Sequence, residues 1–141
     1  MIQRVQTLYL LVAALLLGLF LGFADTWLAV AGRAFGWMPG VVYGLGALTA
    51  AVALVAVFLY KQRATQAKVI TAAQWLDLLL TVVLAAALGY LAFRTDTDLT
   101  EAGALGTVAL LLPVLAYVAL RLARWGVQRD ADLVRSMDRL R

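Results

Sequence analysis

Residues 69–93 read VITAAQWLDLLLTVVLAAALGYLAF, and Asp77 is their only charge. How that stretch is read decides the fold. Apolar and polar positions do not alternate, so a half-buried strand is excluded. The hydrocarbon core of a bilayer is about 30 Å thick and takes roughly 20 apolar residues in a helix to cross. In lipid each backbone N–H and C=O must be satisfied within its own segment, which a helix does and an open strand does not. Three further stretches are just as apolar and carry no charge at all: those between Arg4 and Asp25, between Arg33 and Lys61, and between Glu101 and Arg121. The sequence therefore predicts an all-α, integral membrane four-helix bundle, one membrane domain over residues 1–141 with spans near 5–24, 40–60, 72–93 and 102–120. Residues 121–141 follow as a cytoplasmic amphipathic tail.

Composition points the same way. Only 14% of the 141 residues are charged and 65% are hydrophobic, against about 25% charged in a typical soluble domain. Such a chain cannot cover itself with polar groups, so lipid is the expected solvent for most of its surface. Cysteine and histidine are both absent. That removes disulfides, thiolate nucleophiles and the usual ligands of zinc, iron–sulfur clusters and haem. No cofactor, metal or catalytic residue is expected. Arg4 ahead of an apolar core, with small residues at 29–32, also fits a secretory signal; we read the segment as a retained first span.

Charge sets the orientation. Arg4, the 61–68 connection and the tail hold ten of the twelve basic residues, leaving only Arg33 and Arg94 for the other side. By the positive-inside rule both termini and the short 61–68 connection are expected in the cytoplasm. Aromatic residues form the expected interfacial belts: Trp27, Trp37, Tyr43 and Tyr90 outside, Tyr60, Trp75, Tyr117 and Trp125 inside. The outer loop 25–39 is too apolar to float in water and is expected to lie along the interface or over the helix ends. In the acidic loop 94–101, Asp98 and Glu101 resemble a capping box. A calcium loop starting at Asp96 would need glycine and glutamate where Glu101 and Thr107 stand. The two halves do not correspond as an inverted repeat.

The opening MIQRVQTLYLL (1–11), the junction FLYKQR (58–63) with Gln66, and the ending DLVRSMDRLR (132–141) together resemble an uncharacterised four-span membrane protein family of the Bacteroidota. The resemblance runs the full length, with Gln62 where members carry Asn and Met137 where they carry Ala. It implies the four-span architecture and a cytoplasmic-membrane location, and no catalytic residue. It also implies that the two ends and the middle junction form a shared surface.

Candidate functional residues gather on that surface: Gln3, Arg4, Gln6, Lys61, Arg63, Gln66, Arg135, Asp138 and Arg139, with Gln62 and Gln74 nearby. Amides and guanidinium groups suit exposed helix-end carbonyls and the tail's aspartates. In the tail, Leu133, Val134, Met137 and Leu140 fall at helical spacing on one face. That stripe suits either the headgroup layer, with arginines toward anionic lipid, or a docking partner. Nucleic acid is not expected, since three aspartates offset half of the tail's six arginines. Asp77 is the one acid inside an apolar run; we expect it near the cytoplasmic surface, paired with Arg4, Arg63 or Lys68, with a proton- or ion-binding carboxylate as the other reading. Gly18 with Gly22 and Gly40 with Gly44 have the spacing for close helix packing inside the bundle, or for a homo-oligomer. Pro113 is expected to kink the fourth span. The function expected is that of a non-enzymatic accessory or scaffolding subunit binding a protein partner through its cytoplasmic face. The alternative is a small transporter or channel centred on Asp77. A lipid-directed enzyme would need a catalytic set beyond Asp96, Asp98 and Glu101.

Overall fold

The computed structural model describes residues 2–94 and 103–138, with side chains for 5–93, 106–133 and 136. These residues form helices α1 (Ile2–Phe23), α2 (Asp25–Ala34), α3 (Met38–Phe58), α4 (Arg63–Arg94), α5 (Gly103–Ala109) and α6 (Leu111–Asp138), and no strand appears among them. Four segments are long and apolar enough to cross a membrane: Val5–Phe23, Met38–Phe58, Arg63–Phe93 and Gly106–Leu133. α1 packs on α3 and α6, and α4 packs on the same two, so the long helices form a ring α1–α3–α4–α6 with α1 and α4 across its diagonal. The start of α1, the α3–α4 turn and the far half of α6 share one end of the bundle, here called proximal. The other end is distal.

Local sequence explains where these helices start and stop. Pro39 lies in the first turn of α3, where a missing N–H costs nothing and the fixed φ suits the helix. At the proximal turn Gln62 N–H donates to Leu59 O at 2.9 Å and Gln66 N–H to Gln62 O at 2.8 Å, closing the reversal within four residues. Pro113 has no N–H for the Ala109 carbonyl and crowds it. The fourth span accordingly breaks between α5 and α6, and Leu110 N–H turns to Thr107 O at 3.2 Å.

The interior divides into a distal cluster around Leu17, Phe20, Trp27 and Leu84 and a proximal one around Leu10, Ala53, Ile70 and Leu120. The outward surface is equally apolar: Leu15 is 62% exposed, Phe58 80% and Phe93 89%. Water does not solvate patches of that extent on a monomer.

Four expectations change. The tail does not begin a separate helix; α6 runs unbroken for 28 residues, and its inward stripe passes through Ala116, Leu120, Ala123 and Val127 to Asp130. That register leaves Leu133 exposed, while the side chains of Val134 and Met137, and all of Leu140, lie outside the described residues. The outer loop packs over the distal helix ends, one of its two expected placements, and does so largely as helix α2, which buries Trp27, Leu28, Val30 and Ala31. Trp27 is thus in the core and not in a belt, whereas Trp37 and Tyr90 are exposed. On the inner side, Tyr60 lies in the proximal turn and Trp75 is twelve residues into α4, about 18 Å further along, so these two do not share a level. The loop 95–101, with the expected capping box, lies outside the described residues.

The fourth change concerns glycine. A Cβ added at Gly18, Gly22, Gly40 or Gly44 would meet nothing within 4 Å, so those positions do not pack inside the bundle. The close approaches are at Gly106, where a Cβ would lie 2.6 Å from Thr26 Oγ1, at Gly46, 2.8 Å from Leu21 Cδ2, and at Gly126, 2.9 Å from Gln6 Cγ. Gly18→Ala and Gly22→Ala are therefore expected to hold or raise thermal stability in mild detergent, since alanine is the better helix former by up to about 1 kcal/mol. Gly126→Ala should lower it by about 1–3 kcal/mol, because Gln6 is held in place by a hydrogen bond and cannot move aside.

Candidate functional site

The proximal end of the ring gathers long polar side chains from α1, α4 and α6 in little space. Gly126, one turn before Asp130, lets the α6 backbone come up against Gln6. Gln6 Nε2 then donates to Asp130 Oδ2 at 2.7 Å, and Arg63 Nη1 donates to the Asp130 carbonyl at 3.5 Å. Ala56 lies in the last turn of α3, where carbonyls have no helical partner, and Gln66 Nε2 donates to its oxygen at 3.0 Å. Further along α4, Gln74 Oε1 accepts from Arg124 Nη1 at 3.2 Å. Through these bonds α1 is tied to α6, and α4 to both α3 and α6.

Gln6, Gln66 and Asp130 are buried, so their hydrogen-bonding capacity is spent inward. Lys61, Lys68, Arg121, Arg129 and Asp132 are exposed and Arg63 is half-buried. Lys61 Nζ lies 5.8 Å from the centre of the Tyr60 ring, and the Arg129 guanidinium 5.6 Å from that of Trp125, arrangements that hold cations over aromatic faces. Gln3 and Arg4 fall in the first turns of α1 and Arg135 and Asp138 in the last turns of α6, at the same end; their side chains, and Arg139 altogether, lie outside the described residues. Asp130, Arg124 and Gly126 are members that the sequence reading missed as a site. The available signal was seven-residue spacing, Ala116, Ala123 and Asp130, which carries the buried face of α6 past the apolar run.

Gln6→Leu is expected to cost about 2 kcal/mol. It leaves the Asp130 carboxylate buried without its amide donor, and a hydrogen bond to a charged group contributes about 1.5–3 kcal/mol. Asp132→Ala, on the exposed side of the same helix, should change stability by less than about 0.5 kcal/mol. Thermal unfolding of the two variants in one detergent makes the comparison.

Asp77 does not join the proximal cluster. It is fourteen residues into α4, about 21 Å from Arg63 along the helix, because α4 starts nine residues earlier than the expected span. Its side chain is fully buried, between Ala73 of the proximal core and Leu80 of the distal core. Neither carboxylate oxygen has a hydrogen-bond partner, and no cation among the described residues pairs with it. The expected ion pair with Arg63 or Lys68 is not present, and the side chain of Arg4 lies outside the described residues. Gln74, one turn before it on the same helix, also has an unpartnered amide nitrogen.

At the distal end, Tyr43 Oη donates to the Asp25 carboxylate, joining α3 to α2. A cavity of about 320 Å³ between α3 and α4 is lined by Phe35, Trp37, Met38, Val83, Ala87 and Tyr90 among others, with Phe35 and Tyr90 rings 4.9 Å apart. Among the described residues no three acidic side chains gather where a metal ion could sit.

No curated protein and no solved structure matches the chain. The family described as Domain of unknown function (DUF4293) matches residues 2–140, and the chain belongs to that family.

Proposed function

We propose that this is a non-enzymatic protein of the cytoplasmic membrane, with both termini in the cytoplasm, that binds a protein partner through its proximal face. The observation that carries the reading is the outward side of α6. Trp125, Gln128, Arg129, Asp132, Leu133 and Ser136 follow one another at helical spacing along a surface cavity of about 450 Å³, uncovered by the bundle. Exposed Lys61 and Lys68 add positive charge at the same end, which supports the cytoplasmic placement. Towards the distal end the outward faces of the long helices are, among the described residues, largely apolar. The test is extraction of tagged full-length protein from its native membrane, wild type beside Arg129→Glu with Leu133→Glu. Both substitutions avoid the buried Asp130, so the amount recovered should not change while the co-purifying partner is lost. Recovery of an unchanged set of proteins would remove the proposal.

A second reading is favoured by one observation, the buried and unpartnered carboxylate of Asp77. An acid kept at that depth despite its cost suits a proton- or ion-linked transporter. Purified protein in sealed vesicles should then carry a pH-dependent flux that Asp77→Asn abolishes. No flux, or one indifferent to Asp77→Asn, ends this reading.

A further inference from the structure

Between α4 and α6, away from the buried proximal hydrogen bonds, lies a cavity of about 190 Å³ lined by Gln74, Trp75, Leu78, Tyr117, Arg121 and Arg124. Its polar groups are donors in excess. Gln74 is only 5% exposed, yet its Nε2 has no hydrogen-bond partner. Its Oε1 accepts from Arg124 Nη1, which holds one guanidinium beside the free amide. Arg121 stands one turn before Arg124 on the same helix face, and among the described residues neither arginine has an acidic partner. Asp77, the nearest acid along α4, does not line the cavity. A buried amide donor left unpaired next to two uncompensated guanidinium groups is a site lacking an anion with several acceptor oxygens, and arginine matches phosphate oxygens in a planar two-pronged fashion.

The rim identifies the anion further. Trp75 is 67% exposed and Leu78 is partly exposed, and the outward positions beyond them, Leu79 and Val82 on α4 and Val114 and Val118 on α6, are apolar and exposed. The cavity thus adjoins the apolar flank of the helices, with cationic groups at its proximal side. A free phosphate would use the donors and leave the apolar flank idle. An anionic phospholipid uses both, its phosphodiester against the arginines and its acyl chains along α4 and α6.

We propose that Gln74, Tyr117, Arg121 and Arg124 bind the phosphodiester of an anionic lipid in a discrete site between α4 and α6. The site is independent of the protein-partner reading and rests only on lipid being the solvent of the long helices.

The test is thermal unfolding of the purified full chain in neutral detergent, titrated with phosphatidylglycerol, with diacylglycerol lacking a phosphate, and with inorganic phosphate. Phosphatidylglycerol should raise the midpoint saturably and the other two should not. Arg121→Gln with Arg124→Gln should weaken the lipid response about a hundredfold and Gln74→Leu, which keeps every charge, about tenfold, as expected for loss of hydrogen bonds to a charged group. Arg129→Gln, outside the cavity, should leave it unchanged. Gln74→Leu against Arg129→Gln decides the matter if the double variant does not fold. The site is refuted if phosphatidylglycerol has no saturable effect, if the Gln74 and arginine variants respond like wild type, or if Arg129→Gln weakens binding as much as they do, which would mean diffuse surface charge. An equal response to inorganic phosphate would overturn the lipid assignment. No partner is present in the assay, so its outcome does not depend on the partner-binding proposal.

Discussion

Asp77→Leu should make the bundle more stable by about 2 kcal/mol, a rise of roughly 6 °C in the unfolding midpoint for a chain of this size. Aspartate at this position is fully buried, and both its oxygens lack hydrogen-bond partners. A buried polar group without a partner costs about 1–3 kcal/mol by mutational measure. Leucine removes that cost and adds apolar contact between the two core clusters that meet at this level. The larger side chain must be accommodated, and overpacking costs about 1–3 kcal/mol, but the buried residue one turn before it on α4 is the small Ala73. Asp77→Asn keeps two unsatisfied polar atoms and should recover little of the gain. A leucine variant less stable than wild type would show that the carboxylate has a stabilising partner in the membrane. A stabilised variant that loses activity in the cell would show the opposite, a residue retained at the expense of stability, as functional groups commonly are.

The four long apolar segments were legible because run length alone, measured against a bilayer, identifies them. The orientation of each helix within the ring was not. Neither α3 nor α4 has a marked apolar stripe, so nothing in their sequences marks the inward face or tells whether Gly40 and Gly44 lie inside or outside. The depth of Asp77 depended on where α4 begins, and the polar residues at 65–68 gave no sign that the helix already includes them. Gln6 and Asp130 are 124 positions apart, and nothing local links them. What the sequence did show was that amides and arginines collect at the segment ends holding the basic residues. The structure adds that Gln6, Gln66 and Asp130 close the bundle internally, leaving Lys61, Lys68, Arg121 and Arg129 outward. Trp27 was misplaced because an aromatic at the end of a span reads as an interfacial anchor, while α2 folds it over the distal core.

Leu15→Arg is the sharpest test of what solvates the outer surface. Leu15 is 62% exposed near the middle of α1, where its side chain touches little of the bundle. On a protein surrounded by water, such a substitution falls within about 0.5 kcal/mol of neutral and improves solubility. In hydrocarbon, an arginine at the centre of a span costs about 2.5–3.5 kcal/mol even after snorkelling and local thinning of the bilayer. The variant is therefore expected to reach the membrane fraction at a level reduced at least tenfold, as is Val82→Arg at a comparable exposed position on α4. Leu133→Arg, equally outward but in the proximal part of α6, should insert as wild type does. If Leu15→Arg and Val82→Arg accumulate normally as soluble, folded protein, the apolar surface faces water or another chain, and a lipid-facing bundle is the wrong reading. If Leu133→Arg fails along with them, the bilayer extends past Asp130, so that the proximal hydrogen bonds lie within it and Arg121 and Arg124 lie deeper than the lipid phosphates.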